Sequence, residues 1–461
     1  MISELAAALP ADSVLTDPDL LRSYQRDEAD LCPYGMPSAV VRPRETAQVA
    51  AAVTIAARYA VPVVPQGART GLAGGANAVD GALVLSLTAM DRIVDIDGTN
   101  RIAVVQPGVV NAALAKALAA HRLRFPPDPS SWESATIGGN VSTNAGGMCC
   151  VKYGVTGEYV IGLEVVLGTG EVLRTGRRTA KGVAGYDLTH LFVGAEGTLG
   201  VITEITLALR PVAEESLTLV AVFPTTTAAG AAVAAIADAG STPSLLELVD
   251  RTHLAAIEAY RPMGLRTDAA ALLLAAADTG PHAAAELARI DTLCRRAGAD
   301  EVYTASDTTE AALLLAARRL AYPAIDQLAT ASFPDGSGGV IVDDICVPRT
   351  ALARVLDGVA RIAAAHEVMV GVIAHAGDGN LHPNIVVDRA DPASVARGRA
   401  VFDEITELAL AVGGTCTGEH GVGLLKRDWL AREIGPVGVR VHQAIKAALD
   451  PANILNPGKV L

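Results

Sequence analysis

The sequence predicts an α/β protein of two or three domains, and three observations carry that prediction. The chain has 461 residues, enough for more than one buried core. Short Val- and Ile-rich strands alternate with Ala-rich stretches of helical period and length. Glycine-rich loops recur at the ends of strands, where a backbone must turn sharply or approach a ligand closely.

Taken in order, residues 38–64 read as a βαβ unit. A strand at Ala39-Val-Val41 precedes an Ala/Val-rich helix and a second strand, Val61-Pro-Val-Val64. The loop Pro65-Gln-Gly-Ala-Arg-Thr-Gly-Leu-Ala-Gly-Gly75 follows. Its four glycines let main-chain N–H groups converge on an anion. It lacks the Gly-Lys-Ser/Thr of a P-loop and is not a dinucleotide Gly-x-Gly-x-x-Gly. Further strands end at Val104-Val-Gln-Pro-Gly108 and Phe125-Pro-Pro-Asp-Pro129. Two more small-residue segments come next, Thr136-Ile-Gly-Gly-Asn-Val-Ser-Thr-Asn-Ala-Gly-Gly147 and Gly194-Ala-Glu-Gly-Thr-Leu-Gly-Val-Ile202. Several such loops suit one extended ligand with a pyrophosphate; the bland alternative is a loop-rich α/β domain.

Composition excludes several classes. The net charge is −13 with no basic cluster, which argues against a nucleic-acid partner, since phosphate neutralisation needs grouped Lys and Arg. No apolar run is long enough to span a bilayer. The N-terminus has no basic region before an apolar stretch, so no signal peptide is expected. Cys149 and Cys150 are adjacent, the other four cysteines are scattered, and no Cys-x-x-Cys occurs. A protein-bound iron–sulfur cluster is therefore not expected, and the thiols suit a reducing cytoplasm.

Chemistry concentrates at His375-Ala-Gly-Asp-Gly-Asn-Leu-His382 and Gly418-Glu-His-Gly421. The two histidines are too far apart for one helix face, which needs three or four residues. They fit a β-hairpin, with Gly371–His375 leading in, His382–Val387 leading out, and Gly377, Asp378, Gly379 and Asn380 making the reversal. Two imidazoles and the Glu419 carboxylate form a three-ligand set with open positions, suited to a catalytic divalent metal. Two unrelated surface histidines beside a turn is the alternative.

These motifs, in this order, resemble the flavoproteins of the vanillyl-alcohol oxidase superfamily. The branch is the one holding D-lactate dehydrogenase, the GlcD component of glycolate oxidase and D-2-hydroxyglutarate dehydrogenase. The likeness runs from about Pro43 to the end and includes Gly185-Tyr-Asp-Leu-Thr189 and Leu455-Asn-Pro-Gly-Lys459. It implies a two-lobed FAD-binding domain at 1–212 and a ferredoxin-like cap or substrate domain at 213–414. A short helical segment, 415–461, would return to the flavin. FAD would meet Pro65, Gly67, Ala68, Arg69, Thr70, Gly71 and Leu72 at the pyrophosphate. Further contacts would come from Pro107, Gly108, Pro127 and Asp128, and from Ile137, Gly138, Gly139, Asn140, Asn144, Gly146 and Gly147. Tyr153, Gly154, Glu196, Gly197, Gly200, Val201, Ile202 and Asn456 complete the set. Members with covalent flavin often carry a His in the pyrophosphate loop; residues 65–75 have none, so noncovalent FAD is expected.

The resemblance also implies the reaction, oxidation of a D-2-hydroxy acid to the 2-oxo acid with hydride transfer to flavin. His375, His382 and Glu419 would bind the metal, Zn²⁺ or Mn²⁺ by preference, and His420 would be the base. Arg318, in Ala317-Arg-Arg-Leu-Ala-Tyr-Pro323, would anchor the substrate carboxylate, and Asn384 would touch substrate. Hydroxyglutarate enzymes carry a lysine two residues before the Asp of an Asp-x-x-x-Pro strand. Here the strand is Asp344-Ile-Cys-Val-Pro348 and the position is Val342, which favours D-lactate or a similar small apolar acid. Rival readings are a glycolate oxidase-type subunit, a D-2-hydroxyglutarate dehydrogenase, a non-redox FAD transferase, a non-catalytic FAD-binding subunit and a metal-dependent hydrolase. The electron acceptor is a quinone, a cytochrome, an electron-transferring flavoprotein or a partner subunit. The expected location is the cytoplasm, with the acceptor as the one route to a membrane surface.

Overall fold

The computed structural model describes residues 1–305, 307–333 and 335–461 as a mixed α/β chain. It divides into two compact units. One comprises Met1–Gly146, Val155–Val212 and Glu419–Leu461; the other comprises Gly147–Gly154 and Ala213–Gly418.

The first unit has two lobes. In one, Ala39–Val41, Leu83–Ser86 and Val63–Gln66 run parallel, and Val14–Leu15 joins Ala39–Val41 antiparallel. The helix Thr46–Arg58 buries Val49, Ala52, Val53, Ile55 and Ala56, an i, i+3, i+4, i+7 stripe that faces this sheet's core. The two strands of the expected βαβ unit are not neighbours: Leu83–Ser86 lies between them, a long-range pairing that no local pattern reveals. The other lobe is a five-stranded antiparallel sheet, Ile93–Asp97, Ile102–Val105, Val201–Ala208, Val160–Val166 and Val172–Gly176. Its core gathers Leu114, Leu118, Ile137, Val141, Phe192 and Ile205. The C-terminal segment returns to the first lobe, where Val63 N–H donates to Ile454 O at 2.7 Å and Asn456 N–H to Val63 O at 2.7 Å. The long helix Arg427–Leu449 that precedes this segment is kinked at Gly435 and Pro436.

The second unit is built on one antiparallel sheet. Its first four strands, Leu217–Phe223, Leu245–Asp250, Ala271–Ala277 and Glu301–Thr304, lie in spatial order four-one-three-two. Thr226–Asp238 and Ala283–Arg296 make the crossovers, the split βαβ arrangement. The sheet continues through Val370–His375, Asn380–Asp388 and Gly338–Val342, with Ile345–Cys346 also on Asn380–Asp388. The helix Pro392–Ala411 starts at Asp391, whose carboxylate accepts from Ala393 and Ser394 N–H. Among the described residues no helix is long and apolar enough to cross a membrane.

Candidate active site

The second unit holds the histidine pair. His375 ends its strand, residues 376–379 turn, and Asp378 N–H donates to His375 O at 3.0 Å. Gly379 has φ of +79°, and a Cβ there would strike Val347 O, so the turn requires glycine. The register pairs Ile373 with His382 and His375 with Asn380, which makes the histidines diagonal neighbours on one face. Their ring centroids are 5.1 Å apart, with planes at 83°. Both are buried, and each turns Nδ1 towards a buried carboxylate. His375 Nδ1 lies 2.8 Å from Glu247 Oε1. His382 Nδ1 lies 3.6 Å from Asp344 Oδ1, an ion-pair distance longer than a hydrogen bond. Nε2 therefore sits on the opposite edge of each ring. Carboxylates behind Nδ1 are what hold metal-binding imidazoles in the right tautomer, so this donor set fits a divalent ion.

Arg318 sits in the last turn of Thr308–Arg319, only 3% exposed. Its Nε is 2.8 Å from Glu247 Oε2 but off the N–H axis, so the contact is an ion pair rather than an aligned hydrogen bond. Nη2 is buried with no hydrogen-bond partner among the described residues. Asn384 Nδ2 donates to His382 O at 2.8 Å, and its buried Oδ1 likewise has no hydrogen-bond partner among them. Val342 is registered directly opposite Asn384, so both side chains share the face that carries His382. Glu247 and Asp344 escaped sequence reasoning. The one signal for Glu247 is a charge within an otherwise apolar strand, Leu-Leu-Glu247-Leu-Val.

Asp344 also ties down the second motif. Its Oδ1 accepts from Asn380 Nδ2 at 2.7 Å, and its Oδ2 accepts from Thr417 Oγ1 at 2.7 Å and Gly418 N–H at 2.8 Å. The next residue, Glu419, opens the last segment of the first unit. There its carboxylate packs against Gly146, where no Cβ would fit, and His420 Nε2 is 3.9 Å from Glu419 Oε1. The predicted set thus divides. His375, His382, Arg318 and Asn384 come together in the second unit, and Glu419 and His420 in the first.

The first unit carries the phosphate-type loop. Among the described residues, no N–H of residues 68–75 has a protein partner, so the loop presents a run of main-chain donors. Arg69 and Gly74 have φ of +61° and +77°, left-handed positions at which the loop reverses. A Cβ on Gly67 would strike Thr136 Oγ1, and one on Gly138 would meet Pro107 O at 2.8 Å; the glycines let three loops converge. Asn140 Nδ2 is buried with no hydrogen-bond partner among the described residues. These unmet donors fit a pyrophosphate and polar cofactor chain.

Other predicted contacts have structural work of their own. Glu196 accepts from Val422 N–H at 2.7 Å and Gly423 N–H at 2.9 Å. Asn456 Nδ2 donates to Gly75 O at 2.9 Å and Glu196 O at 2.7 Å. Asn144 Oδ1 accepts from Gly157 N–H at 2.8 Å. Tyr153 and Gly154 belong to the second unit, where Tyr153 OH and Lys152 Nζ both donate to Asp278. Beneath the loop, burial pushes Asp27 up to about 6 and Glu196 up to about 7, and pushes Lys459 down to about 8.

Comparison with known proteins places this geometry. Residues 37–176 match the model of an FAD binding domain, and residues 212–460 match that of the FAD linked oxidases, C-terminal domain. The glycolate oxidase subunit GlcD of Bacillus subtilis (strain 168) is 43% identical over 92% of this chain and 89% of its own. A D-lactate dehydrogenase of Anaerostipes hadrus is 34% identical over 97% of this chain and 94% of its own. The solved 4-ethylphenol oxidase from Gulosibacter chungangensis superposes with a TM-score of 0.80 at 22% identity, covering 100% of this chain and 96% of that one, a likeness of fold. With family matches over both units and relatives this similar along nearly the whole chain, the chain belongs to the FAD-linked oxidases, in the glycolate oxidase GlcD and D-lactate dehydrogenase branch.

Proposed function

We propose that this FAD-linked oxidoreductase converts a small D-2-hydroxy acid, D-lactate or a similar apolar one, to the 2-oxo acid. Noncovalent FAD would supply the hydride acceptor, and His375, His382 and Glu419 would hold one divalent metal ion. The observation that carries the reading is the pair of buried imidazoles on one sheet face, each backed by a carboxylate, with Arg318 in the same cluster. When bound, FAD supplies a two-electron acceptor and the metal, Zn²⁺ or Mn²⁺ by its donors, a Lewis acid. The chain's own residues do the rest. Arg318 takes the substrate carboxylate through Nη2, and Asn384 touches the substrate from the sheet face it shares with His382. His420 takes the hydroxyl proton on a ring nitrogen. Val342, opposite Asn384, offers an apolar wall that suits a methyl group better than a second carboxylate. The amides of residues 68–75 hold the pyrophosphate, and with no histidine in that loop, acid precipitation should release the flavin to the supernatant.

Anaerobic mixing with D-lactate, L-lactate, glycolate and D-2-hydroxyglutarate tests the reading. D-lactate should bleach the flavin with the highest kcat/KM. Chelated enzyme, or the His382→Ala variant, should keep its FAD spectrum and lose the bleaching. Full activity in metal-free enzyme excludes the metal role, and purified protein without flavin sinks the proposal entirely. The glycolate reading is favoured by the 43% identity to GlcD, and a preference for glycolate over D-lactate would select it. Reoxidation by a quinone, a cytochrome, an electron-transferring flavoprotein or a partner subunit then identifies the acceptor.

A further inference from the structure

Glu247 lies where two parts of the proposed chemistry meet, and the role inferred for it rests on the proposed function. It is 0% exposed, on the strand Leu245–Asp250. Leu248 is registered with Ala374 and Val249 with Ile373, and the next rung sets Glu247 opposite His375. Its two oxygens are divided: Oε1 faces His375 Nδ1 at 2.8 Å and Oε2 faces Arg318 Nε at 2.8 Å. A carboxylate so deeply buried is costly unless its charge is answered, and a guanidinium and a ring N–H answer it here. We propose that Glu247 is a positioning residue that sets the metal ligand and the carboxylate anchor together.

The two effects arise from one side chain. A carboxylate only accepts, so Oε1 beside Nδ1 places the ring proton there and the lone pair on Nε2, the form a metal requires. Oε2 beside Nε fixes the guanidinium by that edge and leaves Nη2 for a substrate carboxylate. An amide cannot do both. If its oxygen faced His375, its NH₂ would face the Nε–H of Arg318, donor against donor; reversed, it would face the Nδ1–H.

The test uses full-length, FAD-loaded protein stripped of metal. Zn²⁺ alone is titrated into wild type, Glu247→Gln, Glu247→Asp and His382→Ala. Flavin reduction is then measured at saturating Zn²⁺ with whichever of D-lactate or glycolate the wild type oxidises. Glu247→Gln should weaken Zn²⁺ binding about 10–100-fold. At saturating Zn²⁺ it should still raise KM by roughly tenfold or more with kcat changed far less, because a misplaced Arg318 weakens a charge-assisted pair in ground and transition state alike. Glu247→Asp, which keeps the charge but falls short by one methylene, should recover part of both effects. Wild-type Zn²⁺ affinity and KM in Glu247→Gln overturn the inference. So does a weakened Zn²⁺ affinity with an unchanged KM, because Arg318 would then be set by something else. Should Glu247→Gln fail to retain flavin, Glu247→Asp carries the same two measurements. His382→Ala separates the role of Glu247 from the metal site on which it depends. Unchanged Zn²⁺ affinity there overturns the metal site itself; lost affinity there, with none lost in Glu247→Gln, overturns only the role of Glu247.

Discussion

Arg318 is a cation held 3% exposed, with one edge committed to Glu247 and Nη2 lacking a hydrogen-bond partner among the described residues. Arg318→Ala should therefore raise KM by about 10–100-fold while kcat changes little, the signature of a charge-assisted contact made in both ground and transition states. Steady-state kinetics at saturating metal read that split. His420→Ala should do the opposite, lowering the rate of flavin reduction by about two to four orders of magnitude with substrate still bound. Near-normal reduction would assign proton removal to another group. The histidine pair was legible in the sequence because everything that makes it is local: the spacing, the glycines of the turn and the strands on either side. Glu247 was not. It is one of 50 acidic residues, and its meaning lies in a partner 128 residues away.

At the scale of elements, the glycines between loops matter more than those within them. Gly138→Ala would drive a Cβ into Pro107, whose backbone oxygen it would meet at 2.8 Å, in a place with no flexible side chain to yield. Overpacking of this kind typically costs about 1–3 kcal/mol. Thermal unfolding should show the loss, and FAD should dissociate more readily. The carboxylates beneath the 65–75 loop predict a pH dependence. Burial raises Asp27 to about 6 and Glu196 to about 7, above their values in an unfolded chain, so the folded state binds these protons more tightly. Their stabilising contribution is full below about pH 4 and is lost as pH rises through 6 and 7. Lys459, lowered to about 8, has the reverse sense: its contribution is full above about pH 10.5 and is lost as pH falls through 8, so it titrates mostly outside that window. Urea unfolding of the apoprotein between pH 5 and 7.5 should show stability falling, and Asp27→Asn should flatten the lower part of the slope; an unchanged slope in that variant would assign it elsewhere. Strand existence was legible from apolar runs, whereas the insertion of Leu83–Ser86 between its neighbours was not, because strand order is decided by contacts that no window of sequence contains.

Across the whole molecule, the first unit is made of three stretches of chain and is finished by the last of them. Val63 pairs with Leu455, and Asn456 binds Gly75 O and Glu196 O, so the C-terminal residues close the lobe that carries the amide loop. Deleting residues 454–461 should therefore abolish FAD retention and sharply lower the melting temperature, measured by flavin absorbance after gel filtration and by thermal unfolding. Full flavin content in that truncation would show that the loop stands without its clamp. Asn456 and Gly75 are 381 residues apart in the chain. At about 5–20 residues per second of synthesis, the loop waits roughly 20–80 s before the residues that fasten it have been made. A chain arrested before Asn456 should therefore stay free of flavin, because the contacts to Gly75 and Glu196 that fasten the loop would be missing.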